Sequence, residues 1–257
     1  MTKEDKKGIA IIMTLIVLGV SIFYLSYRLK PKKYRIDEQS LCSKDEVVKL
    51  KKIVLIDKSD KWNTHNIERI DRWLSDVHES VSMNSRLNIL SISRDNENLT
   101  KVKTLFDKCS PGNNKDCNAL YENCRDIKNN YDISFEKPLL EITEMLEKPD
   151  ESESSPLFET MTEIVDNINS QEAEIHIISD FMENSYKFNF YKEVVSVDKA
   201  IEEYAIPSNV KIRVYMHIIE RRKHTRELLD KVKKLWKEYF ERQGITVVSA
   251  KRFFITD

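Results

Sequence analysis

The sequence predicts an α/β protein: a three-layer, doubly wound domain with a mainly parallel sheet, preceded by one transmembrane helix. Two patterns predict it. Short aliphatic runs that stop at polar loops alternate with stretches whose apolar residues recur every three or four positions, as strands joined by helical crossovers do. Apart from these, residues 8–27 (GIAIIMTLIVLGVSIFYLSY) carry no charge, and such a helix is long enough to cross a hydrocarbon core of about 30 Å.

The apolar run reads as an uncleaved anchor behind a short tail, residues 1–7. No small-x-small cleavage site follows it; instead come Phe23, Tyr24 and Tyr27, then Arg28, Lys30, Lys32 and Lys33. Two signals for the side of the membrane conflict. The basic flank favours a cytoplasmic domain by the positive-inside rule. The cysteines favour an oxidising compartment: Cys42, Cys109, Cys117 and Cys124 are even in number and all lie outside the apolar run. Free thiols and a zinc site remain alternatives, and four cysteines allow three pairings. Lysine, asparagine and isoleucine usage suggests an AT-rich genome. The resulting expectation is a single-pass protein of the bacterial inner membrane with its domain in the periplasm.

Residues 28–50 read as a polar linker and 51–257 as the domain. Lys51 to Asp57 (KKIVLID) is a strand buried on both faces. Ile67, Ile70, Trp73, Leu74 and Val77 mark one face of a helix. LNILSIS from Leu87 and Val102 to Phe106 are two further strands. Ala119 to Leu146 is helical in period, with a break expected around Pro138. An acidic, Ser-rich loop follows, and PLFETMTEIVDNI restarts a helix with Ser155 as expected N-cap and Pro156 at the first helical position. Strands EIHIIS (from Glu174) and VKIRVYMHII (from Val210), a helix from Thr225 to Arg242 stopped at Gly244, and a last strand ITVVS complete the order.

Composition excludes several functions. Lys+Arg 42 against Asp+Glu 43 leaves a net charge of −1, so no global basic excess points to nucleic acid. Only four glycines occur, and neither a Walker loop nor a G-x-G-x-x-G fingerprint can be written, which argues against a small-molecule nucleotide cofactor. No H-x-x-x-H pair and no G-x-S-x-G elbow is present.

In this topology three polar clusters meet beyond the carboxyl ends of the strands: Asp57-Lys58-Ser59-Asp60-Lys61, Ser154-Ser155 and Ser179-Asp180. Carboxylate and hydroxyl oxygens are hard ligands suited to Mg²⁺, the candidate cofactor. The layout IVLIDKSDK, SSPLFETM and IHIISDF resembles the von Willebrand factor A-like domain over roughly residues 50–250. The resemblance implies a metal-ion-dependent adhesion site in which Asp57 and Ser59 match the first Asp and Ser of D-x-S-x-S, Ser155 or Ser154 the later Thr, and Asp180 the late Asp. The second Ser is replaced by Lys61, whose ammonium opposes a cation, so the site reads as degenerate. Asp60 is a substitute oxygen donor, and Trp62 a contact aromatic.

The expected function is therefore a membrane-anchored, non-catalytic binding or scaffold module, a candidate subunit of a bacterial envelope complex, that binds a protein partner in or at the membrane through its strand-end surface. The alternative is a Mg²⁺-dependent phosphohydrolase with Asp57 as nucleophile, disfavoured because D-x-S replaces the D-x-D that supplies an acid/base. The basic run from Glu220 through Arg226 to Lys237 reads as a solvated face of the late helix, or else as a docking face for acidic groups.

Overall fold

The computed structural model describes residues 3–28, 36–45, 47–59, 64–94, 100–113, 117, 119, 123–146, 154–206, 210–221 and 224–256. It omits the side chains of 3–12, 26–28, 64–66, 93–94, 100–101, 143–146 and 253–256. Asp60, Lys61 and Trp62 lie outside the described residues.

The central strand is β1 (Leu50–Asp57), buried on both faces from Lys51 onward. It pairs in parallel with β2 (Arg86–Arg94) on one side and β4 (Glu172–Ser179) on the other. This arrangement explains its unbroken aliphatic run, since neither face meets water. Beyond β4 come β5 (Lys211–Arg221) and β6 (Thr246–Thr256), again parallel, while β3 (Thr100–Cys109) closes the opposite edge antiparallel to β2. The sheet order is β3-β2-β1-β4-β5-β6, so the chain reverses its direction of travel between β1 and β4.

Helices cover both faces. On one lies α2 (Thr64–Glu79), whose Ile70, Leu74 and Val77 pack on Val54, Ile56, Leu87 and Ile89. The same face receives α3 (Cys124–Tyr131) and α4 (Lys137–Leu146) through Tyr131, Phe135, Leu139 and Ile142. On the other face, α5 (Leu157–Asp166), α6 (Val197–Glu203) and α7 (Arg226–Arg242) enclose Ile53, Leu55, Ile175, Ile177, Val214 and Met216. Phe158 of α5 stacks on Trp236 of α7 with ring centroids 4.1 Å apart, which locks the two helices at the middle of this layer. α7 is capped by Thr225, whose hydroxyl accepts from the Leu228 amide, and stops at Gly244, where φ is +76°.

The break expected at Pro138 takes another form. α3 and α4 are joined without interruption by a π-helical turn, Asp132–Glu136. Proline offers no amide to the carbonyl four residues back, that of Ser134, and Lys108 Nζ of β3 donates to it instead at 3.0 Å. Wider winding plus an outside donor lets the helix pass through the proline.

Disulfides join Cys42 to Cys109 and Cys117 to Cys124, leaving no thiol for zinc. The first ties the segment read as a linker to the end of β3. There the Cys109 amide also donates to Ser40 O, and Ile36 forms an isolated bridge with Ser43.

Upstream, α1 (Lys3–Arg28) spans the apolar run as one helix. Every side chain described on it, 13–25, is solvent-exposed, Met13 through Leu25 alike. Among the described residues no helix is long and apolar enough to cross a membrane.

Candidate functional site

Parallel β1 and β4 end side by side, and this alone brings Asp57 and Ser179-Asp180 to one pole of the sheet. Asp57 is 3% exposed. Its Oδ1 accepts from the Ser59 amide at 3.0 Å, and its Oδ2 accepts from two hydroxyls, Ser155 Oγ and Ser179 Oγ, each at 2.7 Å. A buried carboxylate is tolerable where it collects donors in this way. Asp57 thus knots together three segments that lie far apart in sequence.

Ser155 does not cap α5, contrary to the sequence expectation. The cap position falls on Pro156, and the Ser155 hydroxyl turns away to Asp57. The helix amides are met instead by Glu183, whose Oε2 accepts from the Phe158 amide at 3.1 Å. Glu183 is fully buried, and its other oxygen, Oε1, has no hydrogen-bond partner among the described residues. Burial pushes its carboxyl up to about 8, with the nearby Asp57 charge adding to the effect and Ser185 and the α5 amides opposing it. At neutral pH it is largely a neutral acid.

The loop after β4 is clamped on both sides. Ser155 and Asn184 exchange backbone hydrogen bonds at 2.9 and 3.0 Å, and Ser154 Oγ donates to the same Asn184 carbonyl. Ser179 Oγ, while donating to Asp57, accepts from the Phe181 amide. Phe181 has φ +60°, a left-handed conformation unfavourable for a bulky residue, and is held there by burial and by Trp236 Nε1 donating to its carbonyl.

Asp180 is the second buried carboxylate of the pole. Its Oδ1 accepts from the Met182 amide at 3.0 Å, and its Oδ2 lies 2.7 Å from Nε of Arg221. Both side chains are buried. Arg221 ends strand β5 and is not on the late helix, so the reading of residues from Glu220 as a helix face is corrected: Glu220 and Arg221 are strand residues, and only from Arg226 does the basic run enter α7.

The predicted ligand set is thus partly assembled. Asp57 and Ser155 are in direct contact, Ser59 approaches Asp57 through its backbone, and Asp180 stands on the neighbouring strand end. As arranged, the set does not fit a hydrated Mg²⁺. The Asp57 oxygens already accept three donors, and a cation reaching Asp180 would meet the Arg221 guanidinium. The sequence reading places Ser179 in the strand-end cluster without giving it a role, and it assigns neither Glu183 nor Arg221 to the site. Glu183 and Arg221 carry no spacing signal.

Fold and site together define a doubly wound α/β domain with a buried, hydroxyl- and carboxylate-rich pole at the carboxyl ends of its strands. No family model matches the sequence, and no curated protein is significantly similar to it. Among solved structures, the three N-terminal domains of the type V pili tip protein Mfa5 from Porphyromonas gingivalis align at 9% identity with a TM-score of 0.30, covering 60% of this chain and 25% of that one. The aligned part therefore spans about a quarter of the pilus protein's chain.

Proposed function

We propose that the protein is a membrane-anchored, non-catalytic protein-binding module, von Willebrand factor A-like in layout, that grips its partner with the strand-end pole and without a metal. The observation that carries the reading is the engagement of Asp57 and Asp180 by their neighbours. Asp57 accepts from Ser59, Ser155 and Ser179, and Asp180 from Met182 beside Arg221, so neither is free to attack a substrate. A carboxylate nucleophile needs a lone pair free and aimed at the substrate. Here the same atoms brace loops, which suits a rigid recognition surface. Tyr186, fully exposed on the clamped loop, offers that surface an aromatic contact.

The anchor rests on residues 8–27 and on the exposure of side chains 13–25 all around α1, which no described residue of the domain covers. Two disulfides favour an oxidising compartment, hence a periplasmic domain at a bacterial inner membrane. Pull-down from native membranes tests the binding. Partner recovery should fall in Asp57→Ala, Asp180→Ala and Tyr186→Ala, and full retention in all three counts against the reading. Mg²⁺-dependent hydrolysis of a generic phosphomonoester, abolished by Asp57→Asn, would establish the phosphohydrolase instead.

A further inference from the structure

We infer that the partner presents an extended acidic segment, and that a cationic cleft beside Arg221 takes it up. The inference rests on the proposed binding function and names the chemistry of the partner. The cleft, of about 720 Å³, lies between the carboxyl ends of β5 and β6 and the N-terminal half of α7. Small-molecule cavities are lined mostly by apolar groups. Here Arg221, Arg226, Lys233 and Arg252 stand against the two acids Glu220 and Asp230. Arg221 joins the cleft to the candidate site, because it also holds Asp180 at 2.7 Å. Tyr191, 47% exposed on the loop after β4, meets the cleft residue His224 with ring centroids 5.7 Å apart.

Two of the four cations are engaged within the domain, Arg221 by Asp180 and Arg252 by Glu220. Arg226 and Lys233 have no ion-pair partner among the described residues, and Glu227, the acid beside Arg226, is taken by Lys231. Seven residues separate them on α7, which puts them on one face about 10 Å apart along the helix axis. Asp230 sits between them on that face and repels an anion laid across the middle. The pattern therefore suits two separated carboxylates and disfavours one compact anion such as phosphate. In a polyproline-II segment, residues three apart point the same way and lie about 9 Å apart, so two acids at that spacing reach both cations. Ile218 and Leu229 give the side chains between them an apolar floor.

The test follows the fluorescence anisotropy of a labelled peptide that carries two glutamates three residues apart among prolines, titrated with the full chain in uncharged detergent at fixed ionic strength. The expected result is saturable binding that the glutamine counterpart lacks and that weakens about tenfold in the double variant Arg226→Ala with Lys233→Ala. Lys231→Ala with Lys234→Ala removes the same charge from α7 outside the cleft and should leave the affinity nearly unchanged. All four side chains are exposed, and unchanged melting temperatures check that both variants fold. No binding of the acidic peptide, equal weakening by the two double variants, or displacement by inorganic phosphate at equal concentration overturns the inference. Pull-down from native membranes separates it from the function it rests on. Loss of the partner in both Tyr186→Ala and the cleft variant is expected. Loss in Tyr186→Ala with full recovery in the cleft variant overturns the cleft alone, and full recovery in every variant overturns the strand-end pole as the binding surface and the cleft with it.

Discussion

Arg221 Nε lies 2.7 Å from Asp180 Oδ2, and both side chains are buried at the carboxyl ends of β5 and β4. The pair places a fixed positive charge beside the carboxylate that the family resemblance assigns to a metal. Breaking a buried pair strands the remaining charge, at a cost of about 3–5 kcal/mol. Arg221→Met should lower stability by about that amount in urea unfolding, and the double change Arg221→Met with Asp180→Asn should recover most of it. If the single and double variants lose equal stability, the two groups do not compensate each other.

The same pair governs cation affinity. With Arg221 removed, Asp180 becomes an uncompensated carboxylate near Asp57, and Mg²⁺ should then raise the melting temperature of Arg221→Met while leaving the unaltered protein unchanged. A comparable rise in both would mean that Arg221 does not keep the cation out.

Glu183 sets a pH dependence of known sign. Its folded-state value, raised by burial to about 8, exceeds the ordinary carboxylate value of 4.5, so between these limits the folded state holds a proton that the unfolded state has released. Its contribution is therefore full below about pH 4.5 and is lost as pH rises through 8. Glu183→Gln, which cannot ionise, should flatten that fall in stability between pH 5 and 8. An unaltered slope in the variant would place the titration elsewhere.

The layer under α2 titrates in the opposite sense. His176 Nδ1 and His217 Nε2 lie 3.1 Å apart, with Trp73 edge-on to both rings. Burial holds His176 down at about 3, with His217 and Lys52 adding to the effect, and holds His217 at about 4. Unfolded histidines titrate near 6.5, so stability present above that value is lost as pH falls toward 4. His217→Leu should reduce the acid loss, read as melting temperature against pH from 7 to 4.

The two disulfides should differ in worth. Cys42–Cys109 closes 67 residues and Cys117–Cys124 only 7. Loop-closure entropy gives about 4 kcal/mol for the first and about 2 for the second. Replacing each pair by serines and comparing urea midpoints checks the order; the reverse order would show that local strain outweighs loop length.

Much of the fold was legible because burial on two faces leaves a record: IVLI in β1 is aliphatic without alternation, and β4, which alternates at its start, ends in the buried pair Ile177-Ile178. Half the site was legible too, since Asp57 and Asp180 follow such runs. The rest depended on distance in sequence. The choice of Ser155 between capping α5 and donating to Asp57 is settled by a partner 98 residues away. Arg221 was hidden in a string of basic residues whose later members do lie on α7, and only the length of β5 separates them. At Pro138 the proline was seen, but the wide turn before it and the Lys108 donor were not, because the donor belongs to another strand.

The central claim, recognition of a protein by the strand-end pole without a metal, is tested most directly by photo-crosslinking from Tyr186 in native membranes with and without EDTA. The expected result is one protein adduct whose yield is the same in both conditions. An adduct that disappears on chelation and returns with added Mg²⁺ would contradict it.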